Sequence, residues 1–244
     1  MSAGRPAPPG PSTSAGGTPV VARAQWHAAR ARLAAVEDQI ARAREVLAEA
    51  RRALPAVRVE RAYRFGSVAT PGTGAAPGSA AAPGSAVAFG PATTSGSAAA
   101  PDSAGTVGLA DLFAGRRQLV VVHLMYGPDA ATLCCGCAVV ADGIAGLAHL
   151  AARDTTLVAV SRASADTLAA ARAARGWAFP WLHCPDDFAR EHGFLVGGQE
   201  RPGLAVFLRA GADVLLTYAA HGRGVEQIMN AYAWLDLTPL GRQD

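Results

Sequence analysis

The sequence predicts an α/β domain with a mixed central sheet and helices on both faces, preceded by a long N-terminal helix. Three observations lead there. Apolar β-branched runs at Leu119–Tyr126 and Thr155–Ser161 read as buried strands, each followed by an Ala-rich helical segment. Leu204–Leu208 and Val214–Tyr218 flank Ala210-Gly211-Ala212 as a hairpin, with a closing helix over about Gly224–Leu235. The order β-α-β-α, hairpin, helix requires parallel and antiparallel pairing in one sheet.

Residues Met1–Gly17 are mostly Pro, Gly, Ser and Ala, which bury too little to offset ordering entropy, and are expected to be a disordered tail. Thr18 followed by Pro19 predicts a helix start, and Pro55 a helix stop. Between them Trp26, Ala29, Leu33, Val36, Ile40, Ala43, Leu47, Ala50 and Leu54 alternate three and four apart, one amphipathic helix assigned to 18–55. Its 3.5-residue period is that of a coiled-coil seam, but its alanines favour packing on its own domain, with a homodimer through this helix as the alternative. Val57–Phe65 alternates as a strand-like lead-in (56–65). Gly66–Pro101 has no charged residue and repeats AAPGSA back to back, so 66–105 is expected to be a disordered insertion, and 106–244 the main domain. Within that domain Ser164 caps a helix ending at Gly176, Trp177–Leu182 is a third short strand and Pro185–His192 a brief helix.

The net charge of +3 is carried by arginine alone, with no basic cluster interleaved with aromatics, which argues against nucleic-acid binding. No run reaches the roughly 18 apolar residues of a membrane span, and the start lacks the apolar core of a signal peptide, so a cytoplasmic, membrane-free protein is expected. Cys134, Cys135, Cys137 and Cys184 are too clustered for a secreted disulfide framework.

Cys134 and Cys137 form a C-x-x-C pair placed after a strand and at the start of a helix. There, unpaired N–H groups and the positive end of the macrodipole favour thiolate. Such a pair suits thiol-disulfide exchange without a cofactor or metal: Cys134 attacks and Cys137, one turn later, resolves. His123 on the central strand reads by itself as a core histidine, while the resemblance of the dithiol and its strand to thioredoxins, which hold a buried carboxylate at this place, implies a proton relay to Cys137. A second reading, peroxide reduction at Cys135 with a peroxide as substrate in place of a protein or small-molecule disulfide, is implied by the resemblance of Pro128, Thr132 and Cys135 to the P-x-x-x-T-x-x-C order of peroxiredoxins. A third has no catalysis: a folded interaction module, or thiolate metal ligation by the three clustered cysteines with His183 and Cys184. Asp129 reads as a turn residue, Trp177 and Trp181 as core, and Arg223 as a solvated loop residue.

A dithiol between the first core strand and its helix, then βα and a proline ahead of a hairpin, resembles the thioredoxin fold. That resemblance implies a cis proline facing the dithiol, a place that Pro202 in RPGLAVF fills. Pro128, Thr132 and Cys135 stand in a P-x-x-x-T-x-x-C order similar to peroxiredoxins, which implies that Thr132 and Arg201 help hold the peroxide. More narrowly, several stretches resemble an uncharacterised bacterial thioredoxin-like family, domain-of-unknown-function family 899. They are RRALPAVRVE, LADLFAGRRQL, YGPD with Cys134 and Cys137, AARDTTLVAVSR, GWAFPW, Pro202-Gly203-Leu204 and LDLTPLGR. The chain departs from the family pattern at Cys135, where proline is frequent, in the 66–105 insertion, and in the short stretch between Phe194 and Pro202.

Overall fold

The computed structural model describes residues 12–13, 17–67 and 105–243; the rest of the predicted tail and insertion lies outside the described residues. The chain divides into two compact units. One comprises Met1–Leu54 with Asp236–Asp244, the other Pro55–Leu235.

The first unit is built on helix α1, Arg23–Arg52. It begins later than Thr18-Pro19 predicts, because Pro19–Val20 is extended and pairs with Ser12–Thr13. Ala22 is the cap, and its N–H donates to the Gln25 side chain at 3.1 Å. Leu54 falls beyond the last turn. No residue of α1 is buried.

The second unit holds an eight-stranded sheet. Its strands in chain order are β1 (Val57–Arg58), β2 (Arg64–Gly66), β3 (Thr106–Gly108), β4 (Gln118–His123), β5 (Thr155–Ser161), β6 (Trp181–His183), β9 (Gly203–Ala210) and β10 (Asp213–His221). A separate two-residue hairpin, β7 (Leu195–Val196) and β8 (Gln199–Glu200), turns on Gly197 and Gly198, both with positive φ. The spatial order is β1-β10-β9-β4-β5-β6-β2-β3. Strands β4, β5 and β6 are parallel; β9 runs antiparallel to β4 and pairs with β10. The sub-order β10-β9-β4-β5, with helices between β4 and β5 and after the hairpin, is the thioredoxin-like fold.

The predicted lead-in strand is split into β1 and β2. The single helix expected after the dithiol is broken into α2 (Cys135–Asp142) and α3 (Leu147–Ala151). Gly143 caps the first, and Gly146, at φ +67°, opens the second. Helix α4 (Ala165–Arg175) keeps its predicted ends: Ser164 Oγ accepts the Thr167 N–H at 3.2 Å, and Gly176 terminates it in the left-handed region. Helix α5 is Asp186–Glu191. The closing helix is a 3-10 segment, Gly222–Ile228, followed by α6, Asn230–Leu235.

Alternation along the strands divides the core. Leu119, Val121, Val158, Val160, Leu182 and Cys184 pack on one face with Phe65, Phe113, Phe188 and Phe194. Val122, Leu124, Ala159 and Trp181 pack on the other with α2 and α4, against Cys137, Val140, Ala141 and Leu168. Gly203, opposite His123 in the β4–β9 register, is where Phe194 and His221 close over the sheet. A Cβ there would lie 2.7 Å from Phe194 Cε1 and 2.8 Å from His221 Cδ2. Gly203→Ala should therefore lower stability by about 1–3 kcal/mol, read as a shift of the urea midpoint with unchanged slope.

Candidate redox site

The chain leaves β4 at His123, turns through Gly127-Pro128 and re-enters regular structure at α2. Met125 fastens both ends of that excursion. Its carbonyl accepts the Cys134 N–H at 3.2 Å, and its own N–H donates to Cys137 Sγ at 3.2 Å. Cys134 is the N-cap of α2, half-buried, and Cys137 lies on the first turn, 2% exposed.

The two sulfurs differ sharply. Burial pushes the Cys137 thiol up to about 12, opposed by the Met125 N–H and reinforced by a hydrogen bond with Cys134, its charge and that of Glu200. Cys137 thus keeps its proton at neutral pH and presents it to the Cys134 sulfur. Both sulfurs line a cavity of about 290 Å³ whose walls are Met125, Val140, Val225 and Met229. Pro202 lies on the same cavity, half-buried, its carbonyl accepting the Gly222 N–H at 3.0 Å. The peptide before it is trans, since no cis bond occurs among the described residues, and this corrects the cis geometry implied by the resemblance. Arg201 is held on both sides instead: its N–H donates to the Phe194 carbonyl and its carbonyl accepts from His123.

Of the other sequence candidates, Arg223 alone lines the cavity. Cys135 occupies the first helical position and is exposed, as are Pro128, Thr132, Asp129 and Arg201. His123 stacks on Phe194, with centroids 4.8 Å apart and planes 4° apart, on the opposite sheet face from Cys137. Its place on the strand, one residue out of phase with Val122 and Leu124, removes it from the relay predicted for it. Cys184 packs on that same remote face, and burial pushes its thiol up. His183 Nδ1 pairs with the Ala163 carbonyl at 3.0 Å. Among the described residues no group of three or more His, Cys, Asp or Glu is arranged to hold a metal, so the thiolate metal set is not assembled. Trp177 and Trp181 pack in the core of the dithiol face, Trp177 donating its Nε1–H to Asp142 at 2.9 Å. Arg223 is on the cavity rim, paired with Glu226 at 3.3 Å. A larger depression, about 400 Å³, lies over the Arg61–Asp187 and Arg61–Glu191 ion pairs and carries no nucleophile.

Sequence reading missed the apolar walls and Glu200. Burial raises the Glu200 carboxyl, which sits 3.7 Å from Arg162. The available signal for the walls was the apolar pair Val225 and Met229, four residues apart in the predicted closing helix.

The sequence matches the family described as "Bacterial protein of unknown function (DUF899)" over residues 15–73 and 100–244. The chain belongs to this family. No protein of curated function matches it. Among solved structures, the chain is similar to the bacterioferritin comigratory protein of Xanthomonas campestris at 17% identity, over 53% of this chain and 87% of that one, with a TM-score of 0.38. It is similar to Plasmodium yoelii thioredoxin peroxidase I at 18% identity, over 54% and 79% of the two chains, TM-score 0.37. For the reduced 2-Cys peroxiredoxin of Plasmodium vivax the values are 17%, 52%, 69% and 0.37. Among the described residues no helix is long and apolar enough to cross a membrane.

His123 offers a direct check on burial. Desolvation lowers its pKa to about 4, outweighing the Arg201 carbonyl. A base depressed when folded leaves stability intact above its unfolded value, near 6.5, and loses it as pH falls toward 4, because the unfolded chain binds the proton first. Between pH 7 and 4 urea denaturation should therefore show a loss of about 3 kcal/mol more for the parent protein than for His123→Gln.

Proposed function

We propose that this protein is a thiol-disulfide oxidoreductase whose working pair is Cys134 and Cys137. The observation that carries the reading is that these two sulfurs share one apolar-walled cavity, one reaching it from the helix cap and the other buried and protonated beside it. Cys134 attacks a substrate disulfide, forming a mixed disulfide and releasing one substrate thiolate; charge on its sulfur during the step faces the α2 amides. Cys137 then gives its proton to the departing sulfur and bonds to Cys134 Sγ, which releases the second substrate thiol. Two electrons pass to the substrate and leave the Cys134–Cys137 disulfide, which an external dithiol reduces again. Pro202 and the walls formed by Met125, Val225 and Met229 suit a substrate with an apolar group next to its disulfide. The same pair runs in reverse as an oxidant, since exchange is symmetric.

Peroxide reduction at Cys135 draws support from its exposure and from the P-x-x-x-T-x-x-C order. Against it, Thr132 and Arg201 do not share the dithiol cavity.

Dithiothreitol-driven reduction of a protein disulfide separates the readings. Cys134→Ser should abolish turnover, about 100-fold or more. Cys137→Ser should accumulate a mixed disulfide at Cys134, visible by intact mass, and Cys135→Ser should stay within about twofold of the parent. Loss of disulfide reduction in Cys135→Ser with retention in Cys134→Ser would overturn the proposal, and peroxide consumption that is lost in Cys135→Ser and kept in Cys134→Ser would put peroxide chemistry in its place.

A further inference from the structure

Helix α1 carries an apolar stripe whose large side chains are exposed among the described residues. Trp26 is 54% exposed, Leu33 52%, Val36 48%, Ile40 47% and Leu47 48%. The half-buried positions of the helix, Ala34, Ala48 and Arg51, fall beside this stripe and not on it. Its register has a second regularity. Written as heptads, position a holds Trp26, Leu33, Ile40 and Leu47, all large, and position d holds Ala29, Val36, Ala43 and Ala50, three of them alanine.

Size segregation of this kind discriminates between ways of pairing two copies. In a parallel, in-register pair each position meets itself, so layers of facing large side chains alternate with layers of facing alanines. No single helix spacing then fills both, and the alanine layers leave cavities. Reversing one helix puts a opposite d. Trp26 meets Ala50 of the second copy, Leu33 meets Ala43, Ile40 meets Val36 and Leu47 meets Ala29, so that every layer opposes a larger side chain to a smaller one. The centre of this arrangement falls at Asp38, next to the middle of Arg23–Arg52, so the helices overlap from end to end. A 30-residue helix is about 45 Å long, and a seam of that length with its flanks approaches the roughly 800 Å² per partner of a stable interface.

We infer that α1 is a homodimerisation element that pairs antiparallel with α1 of a second copy, its large a positions seated over the small d positions. The inference is independent of the redox reading, because it uses no residue of the dithiol cavity.

Sedimentation equilibrium of the full chain at tens of micromolar should give twice 24.8 kDa. Leu33→Glu with Ile40→Glu should raise the dissociation constant about 100-fold or more, with far-UV circular dichroism and disulfide reduction unchanged. Orientation is readable because the chain has no lysine. In a mixture of Arg23→Lys and Ala53→Lys chains, a short amine cross-linker should join position 23 to position 53, which lie level across about 10 Å in the antiparallel pair. Two position-23 lysines would be about 45 Å apart. A monomeric parent, a dimer indifferent to the double glutamate variant, or 23-to-23 links in place of 23-to-53 links would each overturn the inference.

Discussion

The arrangement of the second unit turns on one residue. Met125 accepts from the Cys134 N–H with its carbonyl and donates its own N–H to Cys137 Sγ. The helix that carries the dithiol is thereby docked to the exit of the central strand through the dithiol itself. Few side chains other than cysteine could serve there, since the acceptor must be small, apolar enough to sit at 2% exposure and able to take a backbone proton. Structure and reactivity are linked at that sulfur, and a change in its bonding is felt directly by the strand–helix junction.

Strand alternation then decides which groups the dithiol can use. Successive residues of β4 point to opposite faces, so Val122 and Leu124 accompany Cys137, and His123 faces the aromatic core. The dithiol face supplies apolar walls, with Glu200 as a carboxylate whose charge reaches Cys137. The opposite face keeps His123 neutral between Phe194 and the Arg201 carbonyl, a structural assignment that suits its low pKa.

Much of this was legible in the sequence, for identifiable reasons. The strands at Gln118–His123 and Thr155–Ser161, the Ser164 cap, the Gly176 stop and the Ala-Gly-Ala hairpin carry strong local signals. The short hairpin on Gly197-Gly198 carries a paired-glycine turn signal, but its strands of two residues each are too short for alternation to show. What periodicity could not convey was phase between distant elements. The resemblance to thioredoxins implied a relay from His123 to the dithiol, whereas a one-residue offset on the strand separates them. Local signals predicted a helix start at Thr18-Pro19, where the chain instead pairs as an extended strand, and a single helix through Gly143–Gly146, where two glycines interrupt. The cavity walls come from residues a hundred positions apart, Met125 and Val140 with Val225 and Met229, and only tertiary packing brings them together.

The β2–β3 hairpin has a consequence beyond the sheet. Ser67 donates its N–H to the Gly105 carbonyl at 2.6 Å, so the chain departs and returns at touching points. With its ends pinned, lengthening the intervening stretch costs only about 0.6 kcal/mol per doubling. The sheet therefore fixes where that stretch leaves and rejoins it and not how long the stretch is, and the family match stops at residue 73 and resumes at residue 100, inside it.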